Sequence, residues 1–151
     1  HIGVSNVTLE QLQMLKKVAR VKPRFAQIRC YATRNWDREM RDFCAANSIV
    51  YQGFSLLTAN RQVLNDADMK DLARRHNKTP AQVIFRYALE GGMLPITGTR
   101  NAGHMAQDLD IFSFQLTVQD RRAIKAMAGE GGGMPFRVTI KRPGALPVDV
   151  H

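Results

Sequence analysis

Short apolar strands alternate with amphipathic helices along this chain, and that alternation restricts the fold more than any other feature. Residues 2–5 read as a buried-type strand, and Thr8-Leu9-Glu10-Gln11 directly after them has the form of a capping box. In such a box the threonine side chain accepts from a backbone N–H one turn on, while the glutamine reaches back to the helix start. Leu9, Leu12, Leu15, Val18 and Ala19 recur at helical spacing and predict a helix over 9–20. Further strands are expected over 24–28, 49–54 and 93–97, with helices over 37–46, 102–109 and 118–127. The longest crossover, 55–92, reads as a loop over 56–64, a helix over 67–76 and a second helix begun by Thr79-Pro80-Ala81-Gln82. That tetrad puts a cap residue, a proline at the first helical position and a box glutamine in order. Val83, Ile84, Tyr87 and Ala88 share the apolar face of this helix, and Gly91-Gly92 ends it.

Strands alternating with helices mean parallel strands joined by crossovers, so the fold class is α/β. Two architectures fit four such units: half of a (β/α)8 TIM barrel, or a small doubly wound sheet. Ser5-Asn6, Gln27, Phe54-Ser55 and Thr97-Gly98-Thr99 fall at or just past the C-terminal ends of the strands. In both architectures that edge binds ligands. No Gly-x-Gly-x-x-Gly turn follows any strand, which counts against a Rossmann domain. With 44% apolar residues in 151, one domain over 1–128 can fill a core, followed by a Gly- and Pro-rich irregular tail over 129–151.

The formal charge of +9 raises the question of nucleic acid, but the basic residues are dispersed, with no run longer than a pair such as Lys16-Lys17 or Arg74-Arg75. Solvated helix faces account for most of the charge, an anionic ligand for the remainder, and no nucleic-acid partner is expected. No apolar run approaches the roughly 18 residues of a membrane span. Cys30 and Cys44 are too few for a disulfide scaffold, and Cys44 lies on an apolar stripe with Met40 and Phe43. His1, His76, His104 and His151 are too far apart for a metal-spacing motif. The expectation is a reducing, cytoplasmic setting and no metal.

The segment Leu94-Pro95-Ile96-Thr97-Gly98-Thr99-Arg100-Asn101 carries the most chemistry. A strand runs there into a short loop and then a helix that Asn101 can cap. Free backbone N–H groups, two hydroxyls, a helix N-terminus and a guanidinium converge, which suits a phosphate. A plain turn with a surface arginine explains the same residues equally well.

Six stretches, in order, resemble the aldo-keto reductases: Ile2-Gly3-Val4-Ser5-Asn6, Gln27-Ile28, Tyr51-Gln52-Gly53-Phe54-Ser55-Leu56-Leu57, Thr79-Pro80-Ala81-Gln82-Val83-Ile84, Leu94-Pro95-Ile96-Thr97-Gly98-Thr99 and Asp110-Ile111-Phe112-Ser113-Phe114-Gln115-Leu116. The resemblance covers residues 2 to 128 and implies strands five to eight of a (β/α)8 barrel, its C-terminal half, in a bacterial-type subgroup. It implies that Ser5, Asn6 and Gln27 hydrogen-bond a nicotinamide carboxamide and that Phe54 stacks on the ring where many members have tyrosine. It places Ser55 and Leu57 over the pyrophosphate, Thr97, Gly98, Thr99 and Arg100 at the adenosine 2′-phosphate and ribose, and Gln107 and Asp108 near the adenine. Each has a plainer reading: Ser5 and Asn6 as strand-end residues, Gln27 as a satisfied core amide, Phe54 as core packing.

The chain also departs from the family pattern. Ile96 stands where many members have a lysine on the 2′-phosphate, His104 where an arginine is common, and Arg29 where a glutamate often follows Gln27-Ile28. Arg100 can supply the missing charge, so NADP remains the expected cofactor. The family's general-acid tyrosine, with its lysine, aspartate and histidine, belongs to the first half of the barrel and finds no matching motif here, so no catalytic residue is assigned. The resemblance therefore implies an NADP-dependent aldo-keto reductase, here a fragment with the cofactor-binding half, little turnover alone and a carbonyl small molecule as substrate. Half a barrel leaves strand edges and apolar side chains uncovered, so an N-terminal half or a second copy is the expected partner. A non-catalytic, regulatory half-barrel that binds a nicotinamide nucleotide is the alternative, and a basic nucleic-acid-binding domain a third reading resting only on the charge.

Overall fold

Four parallel strands stand side by side in chain order in the computed structural model, which describes residues 1–129 and the backbone of 138–140 and 148–150. They are β1 (Gly3–Ser5), β2 (Phe25–Arg29), β3 (Val50–Phe54) and β4 (Leu94–Pro95). A doubly wound sheet reverses its strand order at a switch point. The order β1-β2-β3-β4 has no reversal, and so it is the order of consecutive barrel strands.

Burial alternates along β2 and β3, as it must where successive side chains point to opposite faces. Ala26, Ile28 and Tyr51 are buried and share one core with Leu12, Met40, Cys44, Val83 and Ile84 of the helices. Phe25, Gln27, Arg29, Val50, Gln52 and Phe54 point to the opposite face and remain half-buried. That second face is the one a closed barrel turns inward.

The helices start where the capping signals place them. Thr8 and Gln11 form the expected box at α1 (Leu9–Val18), and Thr79 and Gln82 form one at α5 (Pro80–Glu90). Leu12, Val83, Ile84 and Ala88 are fully buried, while Val18, in the last turn of α1, is exposed. Gly92 follows α5 at φ +78, the left-handed conformation that glycine adopts without strain.

The segment before α2 (Arg38–Ala46) differs from the expected simple entry into a helix. Residues Ala32–Asp37 form a tight turn in which Asn35, Trp36 and Asp37 are successively left-handed, at φ 53, 54 and 54. Tertiary contacts hold this strained backbone. Trp36 is fully buried with its ring 5.1 Å from that of Tyr87, the Arg41 Nε donates to its carbonyl at 2.7 Å, and the Tyr51 hydroxyl donates to the Asp37 carboxylate at 2.8 Å.

Two further expectations change in the structure. The predicted loop 56–64 contains the start of a short helix, α3 (Arg61–Asn65), because Val63 and Asn60 are drawn fully into the core; α4 (Ala67–Arg75) follows. β4 is shorter than 93–97, since Pro95 has no N–H to pair, although the Ile96 N–H still donates to the Gly53 carbonyl at 2.8 Å. The expected irregular tail over 129–151 lies largely outside the described residues; described within it is a short antiparallel pair, β5 (Val138–Ile140) with β6 (Val148–Val150). After β4 come α6 (Ala102–Leu109) and α7 (Val118–Met127).

Candidate functional site

Register brings the predicted residues of the first two strands together. Ser5 pairs with Gln27 and Gln27 with Gln52, so the three form a row across the open face. The Ser5 hydroxyl donates to the Gln27 carbonyl at 3.1 Å. Just past β1 the chain turns through Asn6 at φ 51; the Asn6 N–H donates to the same Gln27 carbonyl at 2.9 Å, and its side-chain oxygen accepts from the Arg29 N–H at 3.3 Å. The Gln27 side chain makes no hydrogen bond among the described residues and stands half-buried on this open face.

Phe54 ends β3 beside Arg29 of β2, and its carbonyl accepts from the Cys30 N–H at 3.2 Å. Ser55 follows at φ 55, which turns the chain away from the sheet, and Leu57 packs against the core. Asn60 holds this turn. It is fully buried, accepts from the Ala32 N–H at 2.6 Å, and donates to the carbonyls of Cys30 at 3.0 Å and Leu56 at 2.8 Å. One amide thus ties the turn after β3 to the turn after β2.

At the end of β4 the loop runs over the surface. The Thr97 hydroxyl donates to the Asp108 carboxylate at 3.0 Å, and the Thr99 hydroxyl accepts from the Asn101 N–H at 3.1 Å. Asn101 caps α6 as expected, accepting from the His104 N–H at 3.0 Å. Arg100 is exposed, and nothing occupies the space a side chain would take at Gly98. No residue of α6 is buried; Gln107 is exposed, and its carbonyl accepts from the Gln82 side chain at 3.1 Å. Beneath it, Lys78 donates to Asp110 at 2.5 Å, and with Ser113 it holds that carboxyl below its ordinary value.

The thiols and buried tyrosines are structural. Burial pushes Cys30 up to about 12, with Asp37 adding to the effect, and Cys44 up to about 11. Burial also raises Tyr51 well above its ordinary value, the wrong direction for a proton donor at neutral pH.

Every predicted site residue lies at the carboxyl edge of the sheet or in the segments that leave it. They fall in two groups: Ser5, Asn6, Gln27, Phe54, Ser55 and Leu57 on β1 to β3 and the turns that follow β1 and β3, and Thr97 to Arg100 with Gln107 and Asp108 on the β4 loop and α6. Gln52 escaped the sequence reading, although its spacing of two from Phe54 puts it on the same face. Asn60 also escaped it, because a polar residue in an expected loop gives no sign of burial.

Comparison with known proteins agrees with this fold. Residues 1–128 match the model of the aldo/keto reductase family. The chain is 32% identical over 138 residues to human aldo-keto reductase family 1 member C1, covering 83% of this chain and 42% of that protein. It is 33% identical over 126 residues to glyoxal reductase of Bacillus subtilis, covering 83% and 45%. Among solved structures, an aldo-keto reductase from a Medee basin deep-sea metagenome library superposes with a TM-score of 0.78 at 25% identity, over 88% of this chain and 49% of that one. A Bombyx mori aldo-keto reductase solved in complex with NADP gives a TM-score of 0.74 at 27% identity, over 83% and 44%. The chain spans about half the length of these relatives. The matched span, together with its sequential parallel sheet, shows that the chain belongs to the aldo/keto reductase family.

Proposed function

We propose that this chain forms the nucleotide-holding half of an NADP-dependent aldo-keto reductase, which reduces aldehydes and ketones to alcohols by hydride transfer. The observation that carries this reading is the gathering of two polar groups at one carboxyl edge, one suited to a carboxamide and one to phosphate. The residues present fit the cofactor. The unengaged Gln27 amide offers both donor and acceptor to a carboxamide, and the Ser5 hydroxyl and Asn6 amide lie beside it. The open space at Gly98, the exposed Arg100 guanidinium and the capped start of α6 suit an anion approaching the backbone.

When bound, the dihydronicotinamide supplies the hydride. The chain's own part is orientation. Ser5, Asn6 and Gln27 fix the plane of the carboxamide, and Phe54 offers an aromatic face for stacking without the hydroxyl of a tyrosine. Ser55 and Leu57 cover the pyrophosphate, held in place through Asn60. Thr97, Gly98, Thr99 and Arg100 take the 2′-phosphate and ribose, and Gln107 and Asp108 border the adenine. The proton for the alcohol comes from a tyrosine outside the described residues, on the other half of the barrel. That half, or a second copy of this chain, covers the face bearing Phe25, Val50 and Phe54. Two buried free thiols suit a reducing, cytoplasmic compartment, and no helix among the described residues is long and apolar enough to cross a membrane.

The test is a titration of NADPH fluorescence with this chain alone and with a co-expressed N-terminal half-barrel. The expected result is an altered emission in both, with aldehyde turnover only in the pair. Unchanged emission in both sinks the cofactor reading, and binding without turnover by the pair favours a regulatory half-barrel.

A further inference from the structure

One side of α7 is basic. Val118, Arg121, Arg122 and Lys125 recur at helical spacing and share that side, while Asp120 and Ile124 are buried on the other. The basic side borders a cavity of about 290 Å³, together with Arg41 of α2, Tyr87 and Glu90 of α5, and Met93. Met93 leads into β4, so the cavity lies toward the amino edge of the sheet, opposite the residues assigned to the cofactor. α2 connects β2 to β3 and α5 connects β3 to β4, which keeps the cavity within the span of the sheet rather than on its open flanks.

Arg41, Arg121, Arg122 and Lys125 line this cavity against a single carboxylate, Glu90. That carboxylate is already engaged. It accepts from the Arg86 Nε at 2.7 Å, the Leu116 N–H at 3.0 Å and Arg121 at 2.8 Å. Arg41 gives its Nε to the Trp36 carbonyl and one terminal nitrogen to the Gly91 carbonyl at 2.6 Å, which leaves the other terminal nitrogen unengaged among the described residues. Arg122, Lys125 and the Tyr87 hydroxyl have no hydrogen-bond partner among the described residues. Burial raises Tyr87 above its ordinary value, so its hydroxyl stays a donor at neutral pH. Like charges held together with unmatched donors favour an anion.

We propose that this cavity binds a small phosphomonoester, its phosphate held between Arg41 and the basic side of α7 and its organic part against Met93, Tyr87 and Val118. Arg41 comes from one helix and Arg122 and Lys125 from another, so the anion has to accept from more than one direction. The three terminal oxygens of a phosphate do this, whereas a carboxylate offers two oxygens in one plane. Met93 is buried and the Tyr87 ring stands half-buried against Trp36, which gives the organic part an apolar surface. The volume is at the low end for small-ligand sites and too small for a whole dinucleotide. The site is therefore separate from the cofactor and independent of where the nicotinamide lies.

The experiment is equilibrium dialysis of the chain against phenyl phosphate, with inorganic phosphate as the bare anion and phenol as the neutral body. Phenyl phosphate should bind saturably, inorganic phosphate about tenfold more weakly. Phenol should not bind measurably. Replacing both Arg122→Ala and Lys125→Ala should weaken phenyl phosphate binding about tenfold. Replacing both Lys17→Ala and Arg20→Ala removes the same charge from α1 and the turn after it, and should leave the affinity unchanged. All four side chains are exposed, so both double variants should fold. Absence of saturable phenyl phosphate binding, equal weakening in the two double variants, or unchanged affinity in the α7 variant overturns the site. Inorganic phosphate binding as tightly as phenyl phosphate, or phenol binding alongside it, overturns the phosphomonoester assignment.

Discussion

The buried side chain of Asn60 accepts a hydrogen bond from the backbone N–H of Ala32 at 2.6 Å, across 28 positions of sequence. The same amide donates to Cys30 and Leu56, so removing it leaves one N–H and two carbonyls of the turns without a partner. Asn60→Ala is expected to destabilise the chain by about 3 kcal/mol, read as a lower denaturation midpoint. If Asn60 positions Phe54 to Leu57 for the cofactor, NADPH affinity also falls in conditions where the variant is still folded.

Acid should unfold the chain through two partly buried carboxylates. Burial alone would raise Asp120, but hydrogen bonds from Thr117 and His76 outweigh it and hold the carboxyl below its ordinary 3.8. Burial would likewise raise Glu90, but the Leu116 N–H, Arg86 and Arg121 hold it below 4.5. A folded pKa below the unfolded one gives stability that is present above the unfolded value and lost as pH falls through the folded value. Stability measured by urea unfolding should therefore be level at neutral pH and decline below about 4 to 5. Asp120→Asn and Glu90→Gln should each flatten that decline while lowering stability at pH 7.

Both thiols should resist alkylation in the folded protein at pH 8. Burial raises Cys30 to about 12 and Cys44 to about 11, so the reactive thiolate is scarce and enclosed. Mass spectrometry after brief treatment with iodoacetamide should find neither modified, and both modified once denaturant is added.

Cofactor choice should follow Arg100. Ile96 supplies no charge, and Arg100 is exposed at the mouth of the β4 loop. Arg100→Ala is expected to weaken NADPH binding about tenfold and to leave NADH binding nearly unchanged, measured by fluorescence titration.

The helices were legible where local chemistry decides them. Thr8 with Gln11 and Thr79 with Gln82 cap their helices by bonds spanning three residues, so a short window contains the whole interaction. Trp36 and Asp37 were not legible. Their left-handed backbone is held by Arg41, Tyr51 and Tyr87, and no local preference announces it. Gln27 could be named from the sequence, but that its amide is unengaged depends on what surrounds it in space.

The strand and helix periodicity by itself determined the parallel α/β class and most of the helix starts, because these follow from side chains a few positions apart. Tertiary structure decided between barrel and doubly wound order, enclosed Asn60 and Trp36, and set Arg41 and the basic side of α7 on one cavity. These outcomes depend on strand register and on contacts between distant segments, whose partners are chosen by packing of the whole sheet rather than by any stretch of it.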